Sequence, residues 1–283
     1  MAAYQLAQEA LAGEFAARWA EVLAAVEARQ VAASLTELEA EWSAAIRESA
    51  AASHALSAAF YRLVRALETG RVIGGPGYRP NSSLGSLWAD FNQATGKRTG
   101  SGPREVLPVD TRNPFPAADL AREARRVEET FRQEVTARVE KHERERAGRQ
   151  GSAALDDPEL IAWEREFLDS LKTGSTGAGG MLVQDAGRTM IHTALQDDPG
   201  AIGYYRKTDS SPCYFCALMA ARGAVYKSKR TAAFGAHPHC HCQAVPIFSR
   251  RYRLPAENEM FARMWREFGG GSLADWRTHY TKT

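Results

Sequence analysis

A chain of 283 residues, 44% hydrophobic and 25% charged, is long enough to bury a substantial core and to divide into two domains. It has no apolar run of ~18 residues or more, which excludes a membrane-spanning helix, and its opening "MAAYQLAQEALAGEF" lacks the basic start of a secretory signal. The net charge of +2 conceals an asymmetry: residues 1–199 carry 23 Lys/Arg against 29 Asp/Glu, a balance of −6, whereas residues 200–283 carry 13 against 5, or +8. A basic C-terminal part either solvates a small domain or faces something acidic, nucleic acid or a protein surface. No RRM, KH, zinc-finger or helix-turn-helix pattern accompanies it, so base-specific readout has no support.

In chain order, the first 70 residues are Ala-rich and read as two or three antiparallel helices. A break near Val31–Ser34 precedes Ser34-x-x-Glu37, a capping-box pattern. Leu35, Leu38, Trp42 and Ile46, then Leu56, Phe60, Leu63 and Leu67, recur at helical spacing and form packing stripes. Gly70–Pro116 changes character: Gly, Pro and Ser punctuate it and no period persists. A long loop, 70–116, is therefore expected to interrupt the helical bundle, with Trp88 and Phe91 either folding back on the helices or anchoring a partner.

Ala117–Arg149 reads as a helix whose narrow stripe, Leu120, Ala124, Val127, Phe131, Val135 and Val139, runs through Arg and Glu. Such a stripe suits one neighbour, in this chain or in a second copy. Asp157 and Pro158 open the next helix as N-cap and first-turn residue, with Leu160, Trp163, Phe167, Leu168 and Leu171 as its stripe. "GSTGAGG" (Gly174–Gly180) lacks the G-K-[ST] ending of a phosphate-binding loop and follows no apolar strand, so it reads as a flexible connector. A short helix with Val183, Ala186, Met190 and Ala194 follows, then "AIGYYRKT" and "QAVPIF" as strands. Met260, Met264, Trp265 and Phe268 mark a last helix before a polar tail.

All four cysteines fall between the two strands: Cys213 and Cys216 as C-x-x-C, Cys240 and Cys242 as C-x-C in a run that also holds His237, His239 and His241. C-x-x-C at a turn points two thiolates at one centre, and residues two apart in an extended segment point to one side. The expected ligands of a structural, tetrahedral Zn²⁺ are four of the five residues Cys213, Cys216, Cys240, Cys242 and His237. The four cysteines come first, and His237 is the substitute or a supporting partner just behind the ligands. His239 and His241 alternate to the opposite side and are expected to be more exposed. In a reducing cytoplasm clustered thiols favour metal over disulfide, although a disulfide pair remains open. So does a thiol nucleophile, Cys213 or Cys216, with His237 or His239 as its base. The expected fold class is mainly α with a small α+β C-terminal zinc-binding domain: a helical domain over 1–173 and a basic α+β domain over 174–283.

The stretch "GYYRKTDSSPCYFCALMAARGAVYKSKRTAAFGAHPHCHCQAVPIF" resembles the C-terminal segment of the minor head proteins of tailed bacteriophages typified by the F protein of phage Mu. Those MuF-like proteins share the C-x-x-C, an intervening Gly (Gly223 here) and a closing H-P-x-C-x-C (His237 to Cys242 here). The resemblance covers residues 203–248 and looks closest to an actinobacteriophage subgroup often labelled capsid maturation protease. It implies a minor capsid protein of the virion, incorporated at or near the portal during head morphogenesis. Such a protein works in the host cytoplasm during assembly and then sits inside the head. Portal protein or major capsid protein would be its partners, with self-association possible through 117–149. Its basic residues Lys227, Lys229, Arg230, Arg250, Arg251 and Arg253 would sit beside packaged DNA without sequence preference, and no membrane is involved. A DNA-binding head accessory role is a further alternative. For the protease label, the chain has no G-x-S-x-G, no H-E-x-x-H and no defensible Ser/His pair, and His54, His142 and His192 sit on expected helices with no nucleophile partner.

Overall fold

The computed structural model describes residues 1–74, 82–110, 119–149, 157–209, 211–224 and 236–282. Helix α1 (Ala2–Ala24) and helix α2 (Leu35–Thr69) are joined through a 3₁₀ turn at Ala28–Gln30, and a single helix, not two, occupies 35–69. They run antiparallel, because Tyr4 stacks on Phe60 whereas Phe15 and Trp19 meet Trp42 edge-on. Ser34 stands at the N-cap of α2, but its side chain makes no capping bond. Of the two expected stripes, Leu38, Trp42, Ile46, Leu56, Phe60 and Leu63 are buried, while Leu67 is exposed.

The segment expected as an uninterrupted loop contains a helix, α3 (Leu84–Thr95), framed by two short parallel strands, β1 (Val72–Ile73) and β2 (Val109–Asp110). A reciprocal Ser83–Ser86 capping box starts α3, and Gly96 in the left-handed region ends it. Leu87 and Phe91, one turn apart, are buried against the α2 core, and Trp88 packs against the same cluster. The aromatic pair therefore folds back on the helices. Beneath this excursion Arg65 of α2 binds Asp198 at 2.6 Å and Asp110 at 3.4 Å, and the Tyr61 hydroxyl donates to Asp198 at 3.0 Å. These buried groups tie β2 to the helical core.

Helices α4 (Leu120–Phe131) and α5 (Ala137–Arg149) are continuous through a wider π-type turn at Arg132–Thr136. The sequence accounts for that turn. Val127, Phe131, Val135 and Val139 are spaced by four, and in an α-helix of 3.6 residues per turn such a row drifts by about 40° at each step. One turn with i→i+5 bonding absorbs the drift, and all four side chains stay buried. Their neighbours are residues of this chain, including Trp42 of α2 and Leu171, Leu182 and Val183 further along.

The centre of the fold is one 40-residue helix, α6 (Pro158–Asp197). Asp157 caps it by accepting from the Glu159 amide, as its sequence implies. It runs straight through Gly174–Gly180, so the connector reading of that stretch is incorrect and the expected division at 173/174 falls inside a helix. The glycines are there for proximity. A Cβ on Gly179 would lie 2.1 Å from the Phe15 ring, and one on Gly187 would lie 2.4 Å from Ser57 Oγ and 2.8 Å from Gln8 Nε2. Side chains at these points would hold α1 and α2 away from α6.

Strands β3 (Gly203–Lys207) and β4 (Gln243–Ile247) pair antiparallel, Gly203 with Ile247 and Lys207 with Gln243, and all but Lys207 are buried. Helices α7 (Tyr214–Ala221), α8 (Ala256–Phe268) and α9 (Leu273–Tyr280) complete the described chain. The segment read as a polar tail is thus a helix. Its Trp276 is fully buried and donates to the Tyr214 carbonyl at 2.7 Å, and Tyr280 donates to the Pro212 carbonyl at 2.8 Å. Both bonds fasten the start of α7. Among the described residues, no helix is long and apolar enough to cross a membrane.

Candidate metal centre

The cysteine–histidine cluster is assembled from two chain segments, of which the second, His237–Cys242, lies against α6. In the first, Cys213 is the N-cap of α7, and its Sγ accepts the Cys216 amide at 3.4 Å. An N-cap residue and the residue three later lie on the same side of the first turn, so both sulfurs of the C-x-x-C face one point. In the second, His237–Cys240 forms a turn closed by the Cys240 amide on the His237 carbonyl at 3.1 Å. Cys240 and Cys242 then lead into β4.

All five expected ligands come together. Two groups of three donors form, Cys213 with Cys216 and His237, and Cys216 with Cys240 and Cys242, each with its donor atoms within 4.8 Å of one another. Either group could hold a metal ion, and Cys216 belongs to both. Cys213 Sγ is 2.8 Å from His237 Nε2, and Cys216 Sγ is 3.5 Å from Cys240 Sγ. All four cysteines are free thiols. His237 Nδ1 lies 2.9 Å from the Pro238 carbonyl, which can only accept, so in the neutral ring the proton sits on Nδ1 and Nε2 faces the sulfurs.

His239 and His241 take no part in either group. His239 is exposed and has a left-handed backbone, φ 64°, and a Cβ on Gly177 would sit 2.3 Å from its Nε2. The glycine in α6 thus makes room for this turn. His241 is half-buried, and its Nδ1 accepts from Gln184 Nε2 at 2.8 Å.

Two arginines that sequence reasoning did not single out are buried against the cluster. Arg188 of α6 donates from Nη2 to the Cys240 carbonyl at 2.6 Å and from Nε to the Cys242 carbonyl at 2.8 Å, and it pairs with Asp185 at 2.7 Å. Asp185 also binds Arg126 of α4. Arg206 of β3 has Nη1 3.9 Å from Cys216 Sγ. An Asp–Arg pair three residues apart in an otherwise apolar stretch of α6 was the available signal for Arg188.

The thiols cannot ionise independently at this spacing. Contact with Cys240, then with Cys242, drives the Cys216 thiol far up, while the Cys216 contact holds Cys240 far below the ordinary value. Burial pushes Cys213 up, but the Cys216 amide and His237 outweigh it and leave that thiol lowered. For His237, partial burial opposes the charged ring, while the Pro238 carbonyl and Cys213 draw it up. Protons are shared among donors that a cation would otherwise hold together.

Of the expected basic residues, Arg250, Arg251 and Arg253 are exposed after β4, and Lys227, Lys229 and Arg230 lie outside the described residues. No curated protein and no solved structure matches the chain. A sequence model of the family described as VG15 protein matches residues 118–268, more than half of the chain, a span that takes in α4 to α8, both strands of the β3–β4 pair and every residue of the cysteine–histidine cluster. With the cluster and the helix beneath it both inside that span, the chain belongs to the VG15 protein family, a family of phage proteins.

Proposed function

We propose that this chain is a minor head protein of a tailed phage, acting in procapsid assembly beside the portal, and that its C-terminal part is built around a structural zinc ion. The observation that carries the zinc reading is the donor set: three buried cysteines, a half-buried fourth and an imidazole turned toward their sulfurs, brought together from two segments. Thiolate-rich sets suit Zn²⁺, and closed sets of this kind stabilise a fold without leaving a position for substrate. Cys213, Cys216, Cys240 and Cys242 would hold the ion, with His237 replacing one of them or bonding to a ligand sulfur. Bound there, the ion supplies cross-linking and charge neutralisation. Arg188 and Arg206 supply the remaining positive charge that four thiolates require.

The assembly reading rests on phage family membership and on the resemblance of residues 203–248 to MuF-like proteins. The long α6 and the core it shares with α1, α2 and α4 offer portal or capsid protein a rigid body. One observation favours a second reading, a capsid maturation protease: the 2.8 Å contact between Cys213 and His237 is also that of a thiol and its base. The experiment that separates the two is the intact mass of the cognate major capsid protein expressed with and without this chain. An unchanged mass, with this chain co-purifying with portal or procapsids, supports the assembly reading. Cleavage at a defined site, lost in a folded Cys213→Ser variant, would replace it with the protease.

A further inference from the structure

The turn after β4 is fixed at both ends and exposed in between. Phe248 packs edge-on against Tyr61, ring centroids 5.3 Å apart, and its amide donates to Glu68 Oε2 at 2.9 Å. Leu254 packs against the same core. Between them Ser249 shapes the turn: its carbonyl accepts the Tyr252 amide at 3.2 Å and its Oγ accepts the Arg251 amide at 3.1 Å. Arg250, Arg251, Tyr252 and Arg253 are therefore exposed on a backbone that cannot easily collapse.

The end of α7 reaches the same place. Gly223, φ 67°, closes that helix, and a Cβ there would lie 3.3 Å from Leu254 and 3.9 Å from Tyr252 Oη. Exposed Arg222 thus adjoins the turn. None of Arg250, Arg251 and Arg253 is ion-paired with a described residue. Glu68 accepts the Phe248 amide at the base of the turn, and Glu257 pairs with Lys207.

Arg250, Arg251 and Arg253, three guanidiniums within four residues, repel one another, and a polyanion relieves that repulsion. Arginine forks match phosphate oxygens two at a time, and an exposed aromatic ring among them suits a base better than an acidic side chain. We propose that the Ser249–Arg253 turn, with Arg222 beside it, is a contact surface for the phosphodiester backbone of nucleic acid, Tyr252 offering its ring to unpaired bases. This surface does not depend on the metal centre.

The test uses the full chain and a labelled ~30-nucleotide DNA, single-stranded or duplex, with anisotropy read at about 50 and 200 mM salt. Three phosphate contacts make duplex affinity fall by about 40-fold across that range. The Arg250→Ala/Arg251→Ala/Arg253→Ala variant, with an unchanged melting temperature, is expected to lose that dependence and bind at least 10-fold more weakly at the lower salt. Tyr252→Ala is expected to weaken single-strand binding about 5-fold or more and leave the duplex alone. Wild-type affinity and salt slope in the triple variant overturn the proposal, and so does poly-glutamate binding as tightly as DNA. Should the triple variant fail to fold, Arg251→Glu alone decides the question by the same two readouts.

Discussion

Arg188 grips the Cys240 end of the cysteine–histidine cluster from inside α6, with Nη2 donating to the Cys240 carbonyl at 2.6 Å while Nε reaches the Cys242 carbonyl at 2.8 Å. The guanidinium is 1% exposed, so it is a structural part of the centre and not a surface charge. Through Asp185 it also connects the cluster to Arg126 on α4.

Arg188→Lys is therefore not a conservative change, because an ammonium cannot span two carbonyls in one plane. The variant is expected to weaken metal binding by about 10–100-fold, the usual effect of losing a group that orients ligands. Competition against a chromophoric chelator measures it. Wild-type affinity in the variant would mean that the C-x-C segment holds its shape without α6.

The glycines of α6 give a prediction of opposite sign to ordinary helix propensity. Gly13 of α1 has nothing within 4 Å of where a Cβ would stand, so Gly13→Ala is expected to stabilise, by about 0.5–1 kcal/mol. Gly179→Ala and Gly187→Ala meet Phe15 and Ser57, and each is expected to destabilise by about 1–3 kcal/mol. Thermal melts separate the cases, at about 2–4 °C per kcal/mol for a chain of this size. Stabilisation at Gly179 would contradict the close α1–α6 contact.

A buried ion cluster makes the third prediction. Arg65 lies between Asp198 and Asp110, all three buried, with Tyr61 on Asp198. Arg65→Met removes the guanidinium that buried Asp198 and Asp110 share and is expected to cost about 3–5 kcal/mol. Denaturant midpoints give the value, and a loss below about 1 kcal/mol would show that the cluster is solvated.

The fourth concerns acid. His142 of α5 stacks on Trp163 and Phe167 of α6, with centroids 4.1 and 3.7 Å away. Burial holds its imidazole below the ordinary 6.5; Glu143 and Glu164 oppose that effect and Arg146 adds to it. As pH falls through about 6.5 the unfolded chain takes up a proton that the folded ring resists, so folding stability declines from there toward the lowered value. His142→Phe keeps the stack and removes the titration. Urea midpoints at about pH 8 and pH 5.5 should differ less in the variant than in the wild type. An equal difference would place the acid sensitivity elsewhere.

Legibility in the sequence followed how local the cause was. The β3 and β4 segments and the Asp157–Pro158 helix start depend on residues a few positions apart, and they are where the sequence placed them. Of the α4–α5 stripe, Val127, Phe131, Val135 and Val139 are buried and Ala124 is half-buried, while the Leu120 side chain lies outside the described residues. The five donors were legible as two local motifs, the C-x-x-C and the H-P-x-C-x-C, which the fold brings together. Gly174–Gly180 misled because glycine's local tendency is to break a helix, whereas here the lack of Cβ lets Phe15 and His239 approach α6. That information lies 160 residues upstream and 60 downstream, roughly, and no window contains it. Helix α9 was missed although Ser272 and Asp275 form a capping box, a local signal hidden by a polar composition. Arg188 and Arg206 were missed because their partners are backbone carbonyls and sulfurs that only the folded chain brings near.

The central claim is that the four cysteines are there for a metal, and metal content with thiol titration on the native protein tests it most directly. The account predicts about one zinc per chain, thiols that resist a colorimetric reagent until chelator is added, and loss of zinc in Cys216→Ser, the cysteine common to both donor groups. Protein purified without metal chelators that carries no zinc, binds none when it is supplied, and titrates as four free thiols would contradict it.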